Sequence, residues 1–95
     1  MPYSDPKKQA AWQAAKFQRN VELVRALKHR PCADCDVQYP FYVMQFDHVP
    51  ERGKKLFGLA VGDLAARSEA AILREIEKCD LVCANCHAIR TYSRL

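Results

Sequence analysis

Lys78-Cys79-Asp80-Leu81-Val82-Cys83-Ala84-Asn85-Cys86-His87 is the stretch that decides how this chain is organised. Two residues separate Cys83 from Cys86, and His87 follows at once. Two thiolates at that spacing wrap one side of a tetrahedral cation and leave two positions to fill. Cys32-Ala33-Asp34-Cys35 offers a second pair, with 47 residues between the two halves. A short finger closes over a much shorter loop. A cation held here therefore ties together the edges of a larger unit, and function is expected on the intervening residues and after Cys86.

Two other chemistries use the same letters. Cys-x-x-Cys-His is also the attachment pattern of c-type haem. That reaction happens outside the cytoplasm, and the chain opens Met1-Pro2-Tyr3-Ser4-Asp5 with no apolar export segment. Haem also leaves Cys32 and Cys35 unexplained. A redox dithiol is expected beside a βαβ pattern, which is missing here. The expectation is a structural zinc on Cys32, Cys35, Cys83 and Cys86, in a cytoplasmic protein whose five cysteines form no disulfides.

Ninety-five residues make one domain with a modest core, which a structural metal would stabilise. Apolar residues make up 49% of the chain, yet no run approaches the ~18 needed to cross a bilayer. The formal net charge is +4 and uneven. Residues 1–30 hold Lys7, Lys8, Lys16, Arg19, Arg25, Lys28 and Arg30 against Asp5 and Glu22, a balance of +5 that leaves −1 for the rest. Such asymmetry points to a polyanion at the N-terminal arm. On charge alone, a solvated helix face fits equally well.

Asp5 before Pro6 starts a helix, with an N-cap carboxylate and proline at the first helical position. Ala10, Ala14, Phe17, Val21 and Val24 recur at helical steps, as one helix or two joined near Asn20, ending before Pro31. Lys8, Lys16, Arg19 and Trp12 lie off that stripe. Pro31 to Cys35 is the first knuckle, and Tyr39-Pro40 a turn. Phe41 to Phe46 reads as a strand running into Asp47-His48, followed by a loop over 49–55 and a short return strand over 56–59. Asp63 is placed to cap a helical turn. Ser68 caps a helix over 69–79, where Ile72, Ile76 and Cys79 line the buried side. A last helix covers Asn85 to Arg94. The chain divides into a basic helical arm, 1–30, and a zinc-stapled core, 31–95.

Asp47 and His48 end a strand and point to opposite faces of it. A carboxylate is a hard ligand for a divalent cation, and a neutral imidazole is a general base suited to neutral pH. A surface Asp-His pair at a turn is the plainer reading of the same two residues. On the last helix, His87, Arg90, Thr91 and Arg94 share one face, which suits phosphate contacts. A cationic helix C-terminus alone would also favour those arginines.

A strand ending in Asp-His, a return strand, and a helix entered through Cys-x-x-Cys-His together resemble the HNH nuclease family over roughly residues 30–95. The resemblance implies an α+β fold with a treble-clef-like ββα-metal core and a four-cysteine zinc knuckle, as in small phage-type members. It implies a DNA endonuclease in which His48 is general base, and Asp47 and His87 hold one catalytic divalent cation. Mg²⁺, Mn²⁺, Ni²⁺ and Zn²⁺ all suit that mixed ligand set. The products would carry 5′-phosphate and 3′-hydroxyl ends. The family's middle asparagine has no counterpart at its usual place before the second knuckle. Asp80 and Asn85 are the candidates to orient His48, and Asp80 also to ligate the metal. The rival functions are a non-catalytic zinc-binding nucleic-acid module and a zinc-stapled protein-interaction module.

Overall fold

A computed structural model describes residues 5–95, so the opening residues Met1 to Ser4 lie outside the described structure. Helix α1 runs Pro6–Ala26 as one rod. Asp5 caps it by accepting the Lys7 N–H at 2.9 Å. Asn20 is no joint; it faces inward, and its Nδ2 donates to the carbonyls of Leu64 and Arg67, both at 2.9 Å. The apolar stripe is used only in part. Ala10 and Ala14 are exposed, and burial begins at Phe17 and deepens at Val21 and Val24.

The chain then forms the first knuckle and a 3₁₀ turn over Phe41–Val43. Strand β1 is Met44–His48. The expected strand thus begins three residues late, because Val43 N–H bonds back to the Pro40 carbonyl and closes the turn. Asp47 and His48 lie within the strand. A return strand over 56–59 is not formed. Leu59 instead enters the core with Val21, Val24, Leu64 and Ile72. Asp63 sits inside a 3₁₀ turn, Val61–Leu64, whose N-cap is Ala60.

Helix α2 is Glu69–Glu77, with the Ser68 side chain accepting from Ala71 N–H. It stops before Cys79 because β2, Cys79–Cys83, pairs antiparallel with β1. The register sets Met44 against Cys83, Phe46 against Leu81, Asp47 against Asp80 and His48 against Cys79. Helix α3, Ala84–Ser93, follows directly with Cys83 as its N-cap. The architecture is α+β: a two-stranded ribbon with a helix on each face.

Alternation along the strands sorts the side chains between those faces. Phe46 and Cys79 turn toward α1 and α2 and join the core of Val21, Val24 and Ile72. Phe46 also touches a second core of Cys32, Met44, Leu81, Val82 and Cys83, and so links the two. Gln45, Asp47 and Asp80 turn toward α3, where the polar contacts concentrate.

Candidate functional site

Four sulfurs converge where the knuckles meet. The Sγ atoms of Cys32, Cys35, Cys83 and Cys86 all lie within 4.8 Å of one another. A tetrahedral cation with bonds of about 2.3 Å spaces its sulfurs roughly 3.8 Å apart, so small shifts close the group on an ion. The first pair sits on a turn held by Cys32 N–H to Val37 O and Asp36 N–H to Cys32 O, both 2.9 Å. Asp36 takes the left-handed conformation there, with φ 61°, which aspartate tolerates better than most residues. Ala33 N–H donates to Leu81 O at 2.8 Å and stitches the turn to β2. The second pair spans the end of β2 and the first turn of α3.

Backbone donors favour thiolate in this group. Cys83 N–H donates to Cys32 Sγ at 3.3 Å, and Cys86 N–H to Cys83 Sγ at 3.4 Å. Burial works against ionisation of Cys32, but the N–H groups of Cys35, Cys83 and Asp34 outweigh it and lower the thiol to about 6. The neighbours then hold their protons. Contact with the Cys83 sulfur pushes Cys86 up to about 12. At Cys35 the Val37 N–H pulls down, but desolvation and the Cys32 sulfur win and the thiol is raised. Cys79 stands apart: burial and the Glu75 charge push it up to about 11, and its S–H donates to the Glu75 carbonyl.

Beside the thiols, three carboxylates meet three guanidinium groups. Arg90 forks onto Asp34 at 2.6 and 2.7 Å, and its remaining nitrogen donates to Asp47 at 2.9 Å and Asp80 at 3.0 Å. Arg94 grips both oxygens of Asp47, and Arg52 pairs with Asp80 at 2.8 Å. Asp47 is only 3% exposed. The Arg94 fork, aided by Arg90, overcomes burial and holds its carboxyl down at about 2. Arg90 bridging Asp47 and Asp80 also offsets the repulsion between two like charges that the register places directly opposite each other.

His87 joins this group from the first turn of α3. Its Nδ1 hydrogen-bonds Gln45 Oε1, and its Nε2 lies 3.3 Å from Asp47 Oδ1. With Nδ1–H donating to the amide oxygen, Nε2 and the carboxylate face each other across a gap that requires a proton or a cation. Two ligands in adjacent positions of an octahedral ion with bonds of about 2.1 Å stand roughly 3 Å apart. The spacing resembles that of such a pair, but a cation there would have to displace Arg94, which donates to the same Oδ1 at 2.8 Å.

His48 points the other way. Its Nε2 lies 2.9 Å from Glu75 Oε2 on α2. Asp80 is engaged by Arg52 and Arg90 on the opposite face, and Asn85 is exposed on α3. In the arm, Lys7, Lys8 and Arg19 are exposed, while Lys16 leans over the Trp12 ring at 5.6 Å. Among the described residues no ion pair joins these four to the Asp47 cluster.

Glu75, Gln45, Asp34 and Arg52 escaped the sequence reading. Glu75 had a signal: it lies three residues after Ile72 and one before Ile76, so a charge falls on the buried side of α2. The other three pair across distant segments and carry no local mark. Comparison with known proteins finds no matching family model, curated protein or solved structure for this chain.

Proposed function

We propose that this chain is a metal-dependent DNA endonuclease of HNH type, built on a ββα-metal core. In this reading Cys32, Cys35, Cys83 and Cys86 hold a structural zinc, and Asp47 with His87 receives one catalytic divalent cation. The observation that carries it is the meeting of Asp47 Oδ1 and His87 Nε2, 3.3 Å apart, beside a four-thiol group and two arginines. A purely structural Asp-His contact would not need Gln45 to fix the imidazole with its second nitrogen aimed at the carboxylate.

The residues divide the work. His48 takes a proton from water, which attacks the backbone phosphorus in line with the departing 3′ oxygen. The cation, when bound, stabilises charge on the phosphoryl oxygens and the leaving oxygen. Arg94 and Arg90 already grip Asp47 and can trade that carboxylate for a phosphate beside the cation position. The exposed Lys7, Lys8 and Arg19, with Lys16, hold more distant phosphates. Products carry 5′-phosphate and 3′-hydroxyl ends.

A second reading, a non-catalytic zinc-binding nucleic-acid module, is favoured by one observation. Asp47 is already held by Arg90 and Arg94, and His48 Nε2 by contact with Glu75. Nicking of supercoiled plasmid across Mg²⁺, Mn²⁺, Ni²⁺ and Zn²⁺ separates the two. The nuclease reading expects cleavage that falls ~10²–10⁴-fold in His48→Ala. It expects Asp47→Ala and His87→Ala to be partly rescued by excess metal. Salt-dependent binding without cleavage in any metal leaves the module reading.

A further inference from the structure

Glu75 is the most deeply buried charged side chain among the described residues, 1% exposed, and the reaction as written does not use it. It sits on α2 one turn past Ile72, in the apolar contact between α2 and the ribbon. Its Oε2 accepts the Leu56 backbone N–H at 3.1 Å and meets His48 Nε2 at 2.9 Å. Its Oε1 takes Lys78 Nζ at 3.0 Å, and that ammonium also donates to the Lys54 carbonyl at 2.9 Å. Burial disfavours the charged form, but the Lys78, Leu56 and His48 donors outweigh it, leaving the carboxyl below its ordinary range. Glu75 is therefore an anion with every contact a donor.

An anionic carboxylate can only accept. The His48 nitrogen that faces it must carry hydrogen, and in the neutral ring the other nitrogen, Nδ1, then bears the lone pair. No protein hydrogen bond among the described residues engages Nδ1. Packing alone gives no reason for this arrangement. A leucine in the same place would not desolvate a charge, and buried ion pairs seldom stabilise a fold relative to apolar replacements.

Resting on the nuclease reading, we propose that Glu75 is the positioning residue of the site: it locks His48 in the Nε2–H form and makes Nδ1 the atom that accepts the proton of the attacking water. Lys78 and the Leu56 N–H hold the carboxylate in place for that role. The orienting function thus comes from α2, on the opposite side of the ribbon from Asp80 and Asn85. In the step itself, water loses a proton to Nδ1 as its oxygen bonds to phosphorus, and the 3′ oxygen leaves with the electrons of the broken P–O bond. Glu75 neither gains nor loses a proton.

The test is the ring ¹⁵N spectrum of His48 in the zinc-loaded protein, without DNA or added catalytic cation, in wild type and Glu75→Gln. Single-turnover plasmid cleavage and DNA affinity are then measured on the same two proteins after plasmid and Mn²⁺ are added. Wild type should show the Nε2–H form. Glu75→Gln keeps the shape and can still accept the Leu56 N–H, but its amide can also donate to the ring, so a mixture of the two forms is expected. Its cleavage rate should fall at least tenfold with zinc content and DNA affinity unchanged. An Nδ1–H form in wild type overturns the proposal outright, even if Glu75→Gln fails to fold. Wild-type cleavage by a Glu75→Gln protein with mixed tautomers overturns it too. A wild-type protein that shows the Nε2–H form but cleaves nothing overturns the nuclease reading and the positioning role with it, leaving only the tautomer lock.

Discussion

Arg94 holds Asp47 through both of its terminal nitrogens, each 2.8 Å from a different carboxylate oxygen. The same Oδ1 atom faces His87 Nε2 at 3.3 Å. On the nuclease reading, a divalent cation would compete with the guanidinium for that oxygen. The side chain of Arg94 is 44% exposed, so it can leave without opening the core.

That competition sets the first expectation. Arg94→Gln should bind Mn²⁺ more tightly than wild type in the absence of DNA, by about threefold to tenfold, or roughly 1 kcal/mol. On the nuclease reading it should also bind DNA more weakly, since a phosphate would lose a donor. Paramagnetic resonance of free Mn²⁺ measures the first and a salt-controlled titration the second. Equal or weaker Mn²⁺ binding by the variant would show that Arg94 does not guard the carboxylate.

The thiol group makes a pH-dependent prediction. Cys86 and Cys35 are both raised, so they carry protons at neutral pH and must shed them to bind an ion. Affinity for Zn²⁺ should therefore rise with pH, and binding near pH 7 should release protons. Calorimetry in buffers of different ionisation enthalpy counts them. Cys32→Ser should lose the metal, whereas Cys79→Ala should keep it, since Cys79 lies outside the cluster. Release of no protons at pH 7 would mean that the sulfurs are already ionised in the metal-free protein.

Asn20 joins α1 to the end of the 3₁₀ turn and the segment after it by one buried and one partly buried hydrogen bond. Asn20→Ala leaves two carbonyls without that donor and should cost about 1–3 kcal/mol. Urea denaturation of the zinc-loaded protein measures the loss, with Gln18→Ala, an exposed neighbour, as control. Equal midpoints for the two variants would mean that water replaces the amide at no cost.

Removing the arm wholesale cannot test its charge, because residues 1–30 include Val21 and Val24 of the core. That deletion should unfold the protein. Changing exposed Lys7, Lys8 and Arg19 to Gln leaves the core alone. If each contacts a phosphate, every substitution should reduce the slope of log affinity against log salt by about 0.9. An unchanged slope in the triple variant assigns the three to solvent.

Local signals could be read where chemistry and spacing coincide. The paired Cys-x-x-Cys motifs foretold a four-sulfur group, and the Asp5 and Ser68 caps foretold where α1 and α2 begin. Alternation along β1 placed Asp47 and His48 on opposite faces. The partner strand was misread because Cys79 continues the helical steps of Ile72 and Ile76. Pairing with His48 outweighs that periodicity and draws Cys79 into β2. The 56–59 segment looked like a strand because it is apolar, but Leu59 is needed to fill the core under α1. The contacts of Arg90 with Asp34 and of His48 with Glu75 join residues far apart in the chain, and nothing in one segment announces the other.

The two strands are joined by residues 49–78, an excursion that contains all of α2. No tight turn can nucleate this ribbon, so its pairing must wait for a long loop to close. Helix α2 can form early, and the sheet only when distant ends meet. A cation gripping sulfurs on both sides would bring those ends together, so refolding should quicken as free zinc rises. Assembly of the Asp47 cluster, which depends on that register, would then be timed by metal supply.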